Sequence, residues 1–208
     1  SFTIETSRQV GAKWVVVDGY SFDLNYQQAI RRAELRLLLI DDYCHLPEYE
    51  ADILLNQNIR AEQFVYAIND DCRKLLGLRY VLLRKEFRDI KPRDRRAGSL
   101  QHLLVTMGGS DPDNVNLAII EALESIADIP ESLLIRILVG AANPHWESLS
   151  AAAKESRLRI ELVRSVSDMS NMLQWADFAI TAAGSTCWEL IALGVPFITI
   201  ILAENQKG

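Results

Sequence analysis

The sequence predicts an α/β protein built on parallel sheets, and three observations predict it. Short apolar runs recur along the chain, among them residues 14–17 (WVVV), 37–40 (LLLI) and 103–106 (LLVT). Amphipathic stretches of helical spacing stand between them. The joining segments are short, about two to six residues. Continuous β-branched or aliphatic runs read as strands buried on both faces, and strands alternating with helices form parallel sheets covered by those helices.

In the first half, the strand at 14–17 ends at Asp18-Gly19-Tyr20. Residues 23–35 follow with helical spacing, which puts Leu24, Ala29, Ile30 and Ala33 on one side. Further strands are expected at 37–40, ending in Asp41-Asp42, and at 53–55, ending in Asn56-Gln57-Asn58. A strand at 80–83 (YVLL) closes this half. Residues 84–100 then break the pattern with seven basic side chains, Pro92 and Gly98. They read as a solvated linker, with a phosphate-steering basic edge as the other reading.

The second half is more regular. A strand at 103–106 runs into Met107-Gly108-Gly109-Ser110, and a helix over 114–126 turns Leu117, Ile120 and Leu123 to one side. The strand at 133–139 ends at Gly140, and Pro144 suits the first turn of a helix reaching Ala153. After a strand at 160–163, Ser167 is placed to cap a helix carrying Met169, Met172, Leu173 and Trp175. The strand at 178–180 enters Ala182-Ala183-Gly184-Ser185, a helix over 186–193 stops at Gly194, and 197–202 is the last strand. The expected domains are therefore 1–98 and 99–208.

Composition narrows the function classes. At about 150 residues per domain, 208 residues make one large domain or two small ones. Hydrophobic residues are 49% and charged residues 24%, enough apolar surface to offset the entropy of ordering, which excludes a disordered chain. Lys and Arg number 22 against 28 Asp and Glu, a net charge of −6 that argues against a broad nucleic-acid surface. No apolar run approaches the ~18 residues of a membrane span, and the start carries no signal-peptide pattern. Cys44, Cys72 and Cys187 are scattered without a CxxC pair. Neither a disulfide framework nor a zinc site is expected from them, and a reduced, cytoplasmic setting is.

Open α/β sheets bind ligands at the carboxyl ends of their strands. Two segments stand there with suitable chemistry. GGSDPDN (108–114) offers glycines that let backbone N–H groups approach an anion, and a helix N-terminus that favours negative charge. Its other reading is a tight turn with Asp111 or Asp113 capping the helix. AAGSTCWEL (182–190) offers the Ser185 and Thr186 hydroxyls to a pyrophosphate, with Glu189 one helical turn later for a ribose diol. Its other reading is a Thr186–Glu189 capping box. Together they suggest a nucleoside diphosphate site. In the first half, Asp41, Asp42 and His45 are loop caps or, less directly, metal ligands. His102 and His145 read as structural. There is no Ser/His/Asp triad, and AGSTC is not a nucleophile elbow.

The ordered set DGYSFD, IDDYCH, ADILLNQN, YVLLRKEF, VTMGGSDPDN, AAGSTCWELIALGVP and LAENQ resembles the UDP-sugar hydrolases of pseudaminic acid biosynthesis. Those enzymes release UDP from a UDP-2,4-diacetamido-2,4,6-trideoxyhexose. The resemblance covers nearly the whole chain. Through GGS and the AGST…E…GVP segment the chain is also similar to the glycosyltransferases that form lipid II. Both families have GT-B architecture, so the resemblance implies two Rossmann-like domains with parallel sheets, the first of them incomplete here.

The resemblance further implies that the second half binds UDP. Glu189 would contact the nucleotide and Asn114 the substrate, while Gly109, Ser110, Ser185 and Thr186 approach the diphosphate. Glu204, Asn205 and Gln206 match the motif that closes the cleft, and Tyr20 and Arg84 would face the sugar. No cofactor or metal is implied. The family's general-base histidine lies in a glycine-rich GxGH loop without a counterpart in this sequence. The chain is therefore expected to be a fragment with no catalytic residue of its own, its base lying upstream of Ser1. Two other readings stand beside the hydrolase: a GT-B glycosyltransferase using a UDP-sugar donor, and a non-catalytic nucleotide-sugar-binding module.

Overall fold

The computed structural model describes residues 1–93, 100–164 and 166–202. Its contacts divide the chain into two units, the first running to Leu82 and the second starting at Leu83. Among the described residues, no helix is long and apolar enough to cross a membrane.

The first unit holds α1 (Phe2–Gln9), β1 (Trp14–Asp18), α2 (Leu24–Arg32), β2 (Arg36–Ile40), β3 (Ile53–Asn56) and β4 (Arg73–Leu76). Its strands are all parallel, in the order β1-β2-β3-β4. Asp23 starts α2 by accepting the Tyr26 N–H at 2.9 Å, which satisfies one of the orphan donors of the helix end. Val15, Val17, Ile30, Leu37, Leu39 and Leu54 form the core with Tyr49.

Two expectations fail in this unit. Residues 14–17 are not buried on both faces: Val15 and Val17 face the core, while Trp14 and Val16 lie on an exposed face. Residues 80–83 form no strand; residues 78–80 make a 3-10 turn instead. The fourth strand is Arg73–Leu76, whose exposed Arg73 and Lys74 hide it from an apolar pattern.

The second unit holds α3 (Lys85–Arg88), β5 (His102–Thr106), α4 (Val115–Glu124), β6 (Leu134–Val139), α5 (Trp146–Glu155), β7 (Arg159–Arg164), α6 (Met169–Trp175), β8 (Phe178–Ala182), α7 (Thr186–Ala192) and β9 (Phe197–Ile200). All five strands are parallel, in the order β7-β6-β5-β8-β9. Here the central strand is buried on both faces. Leu103 and Val105 enter one core with Ile135, Ile137 and Leu149, and Leu104 enters the other with Phe87, Leu173, Leu190 and Leu193. This is the alternation of side chains along a strand.

The helix starts differ in detail from the sequence expectation. α5 begins at Trp146 rather than at Pro144. The cap of α6 is Asp168, not Ser167, and it accepts the Asn171 N–H at 3.0 Å.

The stretch read as a linker is structural as far as residue 93. Phe87 of α3 is buried in the second unit's core. Gln174 Nε2 donates to the Lys91 carbonyl at 2.9 Å, and Arg93 pairs with Asp177. Its basic residues conceal one aromatic anchor that a charge count does not reveal.

Candidate functional site

The second unit lays down β5, β6 and β7 in one direction, then returns to the other side of β5 for β8 and β9. That reversal puts a topological switch point between β5 and β8, where open parallel sheets hold their ligands. The turns after these two neighbouring strands are 107–114 and 183–185, the two glycine segments of the sequence.

Gly108, Gly109 and Gly184 have open space about them: no described atom lies within 4 Å of where a Cβ would stand. Gly108 has φ +80°, a conformation that L side chains rarely adopt. Gly140, after β6, is tight for the opposite reason. A Cβ there would lie 2.2 Å from the Gly109 carbonyl oxygen and 2.6 Å from that of Gly108. The bare Gly140 thus lets the β5 turn rest against the β6 turn with its outer side open. Ser110 and Ser185 are exposed on these turns, and Thr186 is half-buried at the start of α7.

The helix that follows the β5 turn already has its acceptor. Buried Asp111 takes the Val115 N–H at 2.8 Å, the Asn116 N–H at 3.1 Å and the Asn116 side-chain amide at 2.8 Å. A carboxylate therefore occupies the α4 N-terminus, so the capping reading of Asp111 holds. The open backbone at this mouth is that of the glycine turns. Asn114 is the N-cap in the left-handed region, at φ 53°, a conformation Asn tolerates better than most residues. Its Nδ2 reaches Ser148 Oγ at 3.5 Å, while its Oδ1 is buried without a partner among the described residues. The acceptor on Asn114 is a group a ligand could satisfy.

Glu189 sits in the first turn of α7 with its side chain 10% exposed. The capping box expected with Thr186 does not form, since Ser185 is the N-cap and neither it nor Thr186 is bonded to this carboxylate. Arg84 holds it instead: its Nε–H donates to Oε1 at 2.8 Å, and Nη2 forms an ion pair with the same oxygen at 2.8 Å. The bond to Glu189 raises the Arg84 guanidinium above its ordinary value. Arg84 also pairs with Glu86 at 2.9 Å and lies over the Phe87 ring, 5.0 Å from its centroid. The arrangement fixes the Oε1 side of the Glu189 carboxylate. Arg84, expected against a sugar, is thus engaged inside the second unit as the partner of Glu189.

Tyr20 belongs to the first unit, at the end of β1, and donates its hydroxyl to Asp42 Oδ2 at 2.5 Å. Glu204, Asn205 and Gln206 lie outside the described residues. Sequence reasoning missed the role of Gly140, a lone glycine after a strand, and the pairing of Arg84 with Glu189, which are 105 positions apart. Two open hollows of the described surface lie away from this site. One, of about 450 Å³, lies beside Pro47 and Ile68, and the other, of about 380 Å³, lies between α4 and α5.

Residues 102–208 match the family described as glycosyltransferase family 28 C-terminal domain. The spore coat polysaccharide biosynthesis protein SpsG of Bacillus subtilis is 27% identical over 132 residues, covering 64% of this chain and 38% of its own length. The UDP-N-acetylglucosamine--N-acetylmuramyl-(pentapeptide) pyrophosphoryl-undecaprenol N-acetylglucosamine transferase of Geobacter metallireducens is 30% identical over 112 residues, 53% of this chain and 30% of that enzyme. The chain thus spans between 30% and 38% of the length of these relatives. The crystal structure of Acinetobacter baumannii MurG superposes with a TM-score of 0.59 at 15% identity, over 98% of this chain and 57% of that one. This likeness shows the fold, an α/β architecture of GT-B type with two parallel sheets.

Proposed function

The chain belongs to the glycosyltransferase family 28 C-terminal domain family, and from that membership we propose that it binds a UDP-sugar donor for glycosyl transfer in polysaccharide biosynthesis. The observation that carries the proposal is the switch point of the second unit. Two open glycine turns lie at neighbouring strand ends, with Glu189 one turn into the following helix. Gly109, Ser110, Ser185 and Thr186 face the diphosphate, Glu189 takes the ribose hydroxyls, and Asn114 takes a substrate donor with its unpartnered oxygen.

In the reaction the bond from the anomeric carbon to the diphosphate oxygen breaks. The acceptor oxygen adds to that carbon and gives up its proton to a base. Negative charge grows on the departing UDP, and donors held ready by the glycine turns stabilise it without reorganisation.

A second reading has its own support. DGYSFD, IDDYCH and ADILLNQN, in the part of the chain before the family match, resemble the UDP-sugar hydrolases of pseudaminic acid biosynthesis, in which water is the acceptor. In that reading Tyr20 contacts the sugar. In the whole protein, UDP released from the donor without any acceptor favours hydrolysis, and release only with an acceptor favours transfer.

The nucleotide site is tested by calorimetric titration of the chain with UDP, with ADP as control. Selective UDP binding that disappears in Glu189→Ala supports it. A folded chain that ignores UDP overturns it.

A further inference from the structure

The first unit carries a second cluster, built around a buried carboxylate that the nucleotide site does not use. Asp41, at the end of β2, is 2% exposed. Its Oδ1 accepts from the Tyr49 hydroxyl at 3.3 Å and lies 2.7 Å from His45 Nδ1. Its Oδ2 accepts from the Tyr66 hydroxyl at 2.7 Å and the Cys44 N–H at 2.6 Å. Burial pushes both tyrosine hydroxyls well above their ordinary range, so they remain donors. Asn56 braces the group from β3, with its Nδ2 donating to Tyr66 Oη at 2.9 Å and to the Asp42 carbonyl at 3.0 Å.

An ionised carboxylate only accepts. With donors converging on Asp41, His45 takes the tautomer that places its proton on Nδ1, and its Nε2 keeps a lone pair. That Nε2 is buried and has no hydrogen-bond partner among the described residues. Leaving such an atom unmet is unfavourable, and buried polar atoms of folded proteins are nearly all satisfied. Two half-exposed rings stand beside it. Tyr20 meets His45 edge to face at 5.4 Å between centroids, and Tyr43 lies 5.5 Å away. The two rings are 5.2 Å apart. An oriented imidazole acceptor beside two surface aromatic rings is the chemistry that suits a pyranose: a hydroxyl or amide N–H for the nitrogen, apolar C–H edges for the rings.

We propose that Asp41 and His45 form a sugar-recognition site in the first unit, in which His45 Nε2 accepts a hydrogen bond from a hydroxyl or acetamido N–H of a hexosamine seated against Tyr20 and Tyr43. Asp41 is the positioning residue and His45 the contact. Rotation of the surface rings admits the ligand to the nitrogen. The inference rests on the reading that the chain uses a UDP-sugar.

The test follows the His45 ring nitrogens of the ¹⁵N-labelled chain by long-range proton–nitrogen correlation, with UDP and, separately, with N-acetylglucosamine. The free chain should show Nδ1 protonated and Nε2 bare. N-acetylglucosamine should shift Nε2 and UDP should not. His45→Leu should lower affinity for N-acetylglucosamine about tenfold, the scale of one lost hydrogen bond, and leave UDP affinity within about twofold. His45→Gln, which retains an acceptor, should recover part of the loss. If UDP binds while Nε2 stays unmoved by N-acetylglucosamine, the sugar site is overturned and the nucleotide reading stands. If UDP itself does not bind, that reading falls and this inference with it.

Discussion

Arg84 donates its Nε–H to Glu189 Oε1 at 2.8 Å and sets Nη2 in an ion pair with the same oxygen at 2.8 Å, and so holds a carboxylate that is only 10% exposed. The pair is asymmetric. The Arg84 side chain is 53% exposed, so solvent screens its charge, whereas Glu189 has little water to turn to. Removing the arginine therefore costs more than removing a surface ion pair and less than breaking a fully buried one. Arg84→Ala should lower stability by about 1–2 kcal/mol in urea unfolding. It should also weaken UDP binding, because the carboxylate loses its fixed orientation. Glu189→Gln should keep much of the stability and lose the nucleotide. A double-mutant cycle that gives no coupling between the two would remove Arg84 from the site.

The glycines separate packing from ligand access. Gly140→Ala forces a methyl group against the carbonyls of Gly108 and Gly109, and backbone cannot swing aside as a side chain can. Such overpacking costs about 1–3 kcal/mol. Gly109→Ala meets no described atom, so the free chain should melt within a degree or two of the parent. Its methyl group enters the space proposed for the diphosphate, and UDP affinity should fall at least tenfold. Thermal melts and UDP titrations of the two variants check the contrast. Unchanged affinity in Gly109→Ala would place the diphosphate elsewhere.

Asp168 ties one helix start to pH. The Asn171 backbone N–H, and after it the Ser170 hydroxyl, hold its carboxyl below the usual carboxylate value. A folded value below the unfolded one means that its contribution is fully present above the unfolded value of about 4. It is lost as pH falls through the folded value. Asp168→Asn retains a capping acceptor but does not titrate. The difference in urea midpoint between parent and variant should therefore shrink as pH is lowered from 6 towards 3. A difference independent of pH would mean that the cap is not ionised in the fold.

Much of this architecture is written in the chain. The continuous runs around Leu104 and Ile137 mark strands buried on both faces, and the glycine segments after β5 and β8 mark the switch point. What stays hidden has physical causes. Strand β4 is an edge strand with Arg73 and Lys74 exposed, so polarity masks it. The apolar residues 80–83 suggest a strand but follow a 3-10 turn, because an apolar run of four specifies burial and not its geometry. Tertiary pairs such as Arg84 with Glu189 or His45 with Asp41 depend on side-chain directions that no local pattern encodes.

The segment read as a linker supplies the sharpest test of where the nucleotide-binding unit begins. A boundary at 98/99 discards α3, and with it Phe87, which is 3% exposed among Leu104, Leu173, Leu190 and Leu193. Loss of a buried phenylalanine costs about 3–5 kcal/mol, a large share of the 5–15 kcal/mol that typically holds a domain together. The same cut removes Arg84 and the hydrogen bond to the Lys91 carbonyl. A fragment of residues 83–208 should unfold cooperatively and bind UDP. One of residues 99–208 should melt at a much lower temperature or expose its apolar face and aggregate. Within the intact chain, Phe87→Ala should lower both stability and UDP affinity without touching the ligand, by loosening the helix next to Arg84. Lys85→Ala, on the exposed side of the same helix, should change neither. Equal melting of the two fragments would show that residues 84–93 are not part of the second unit's core.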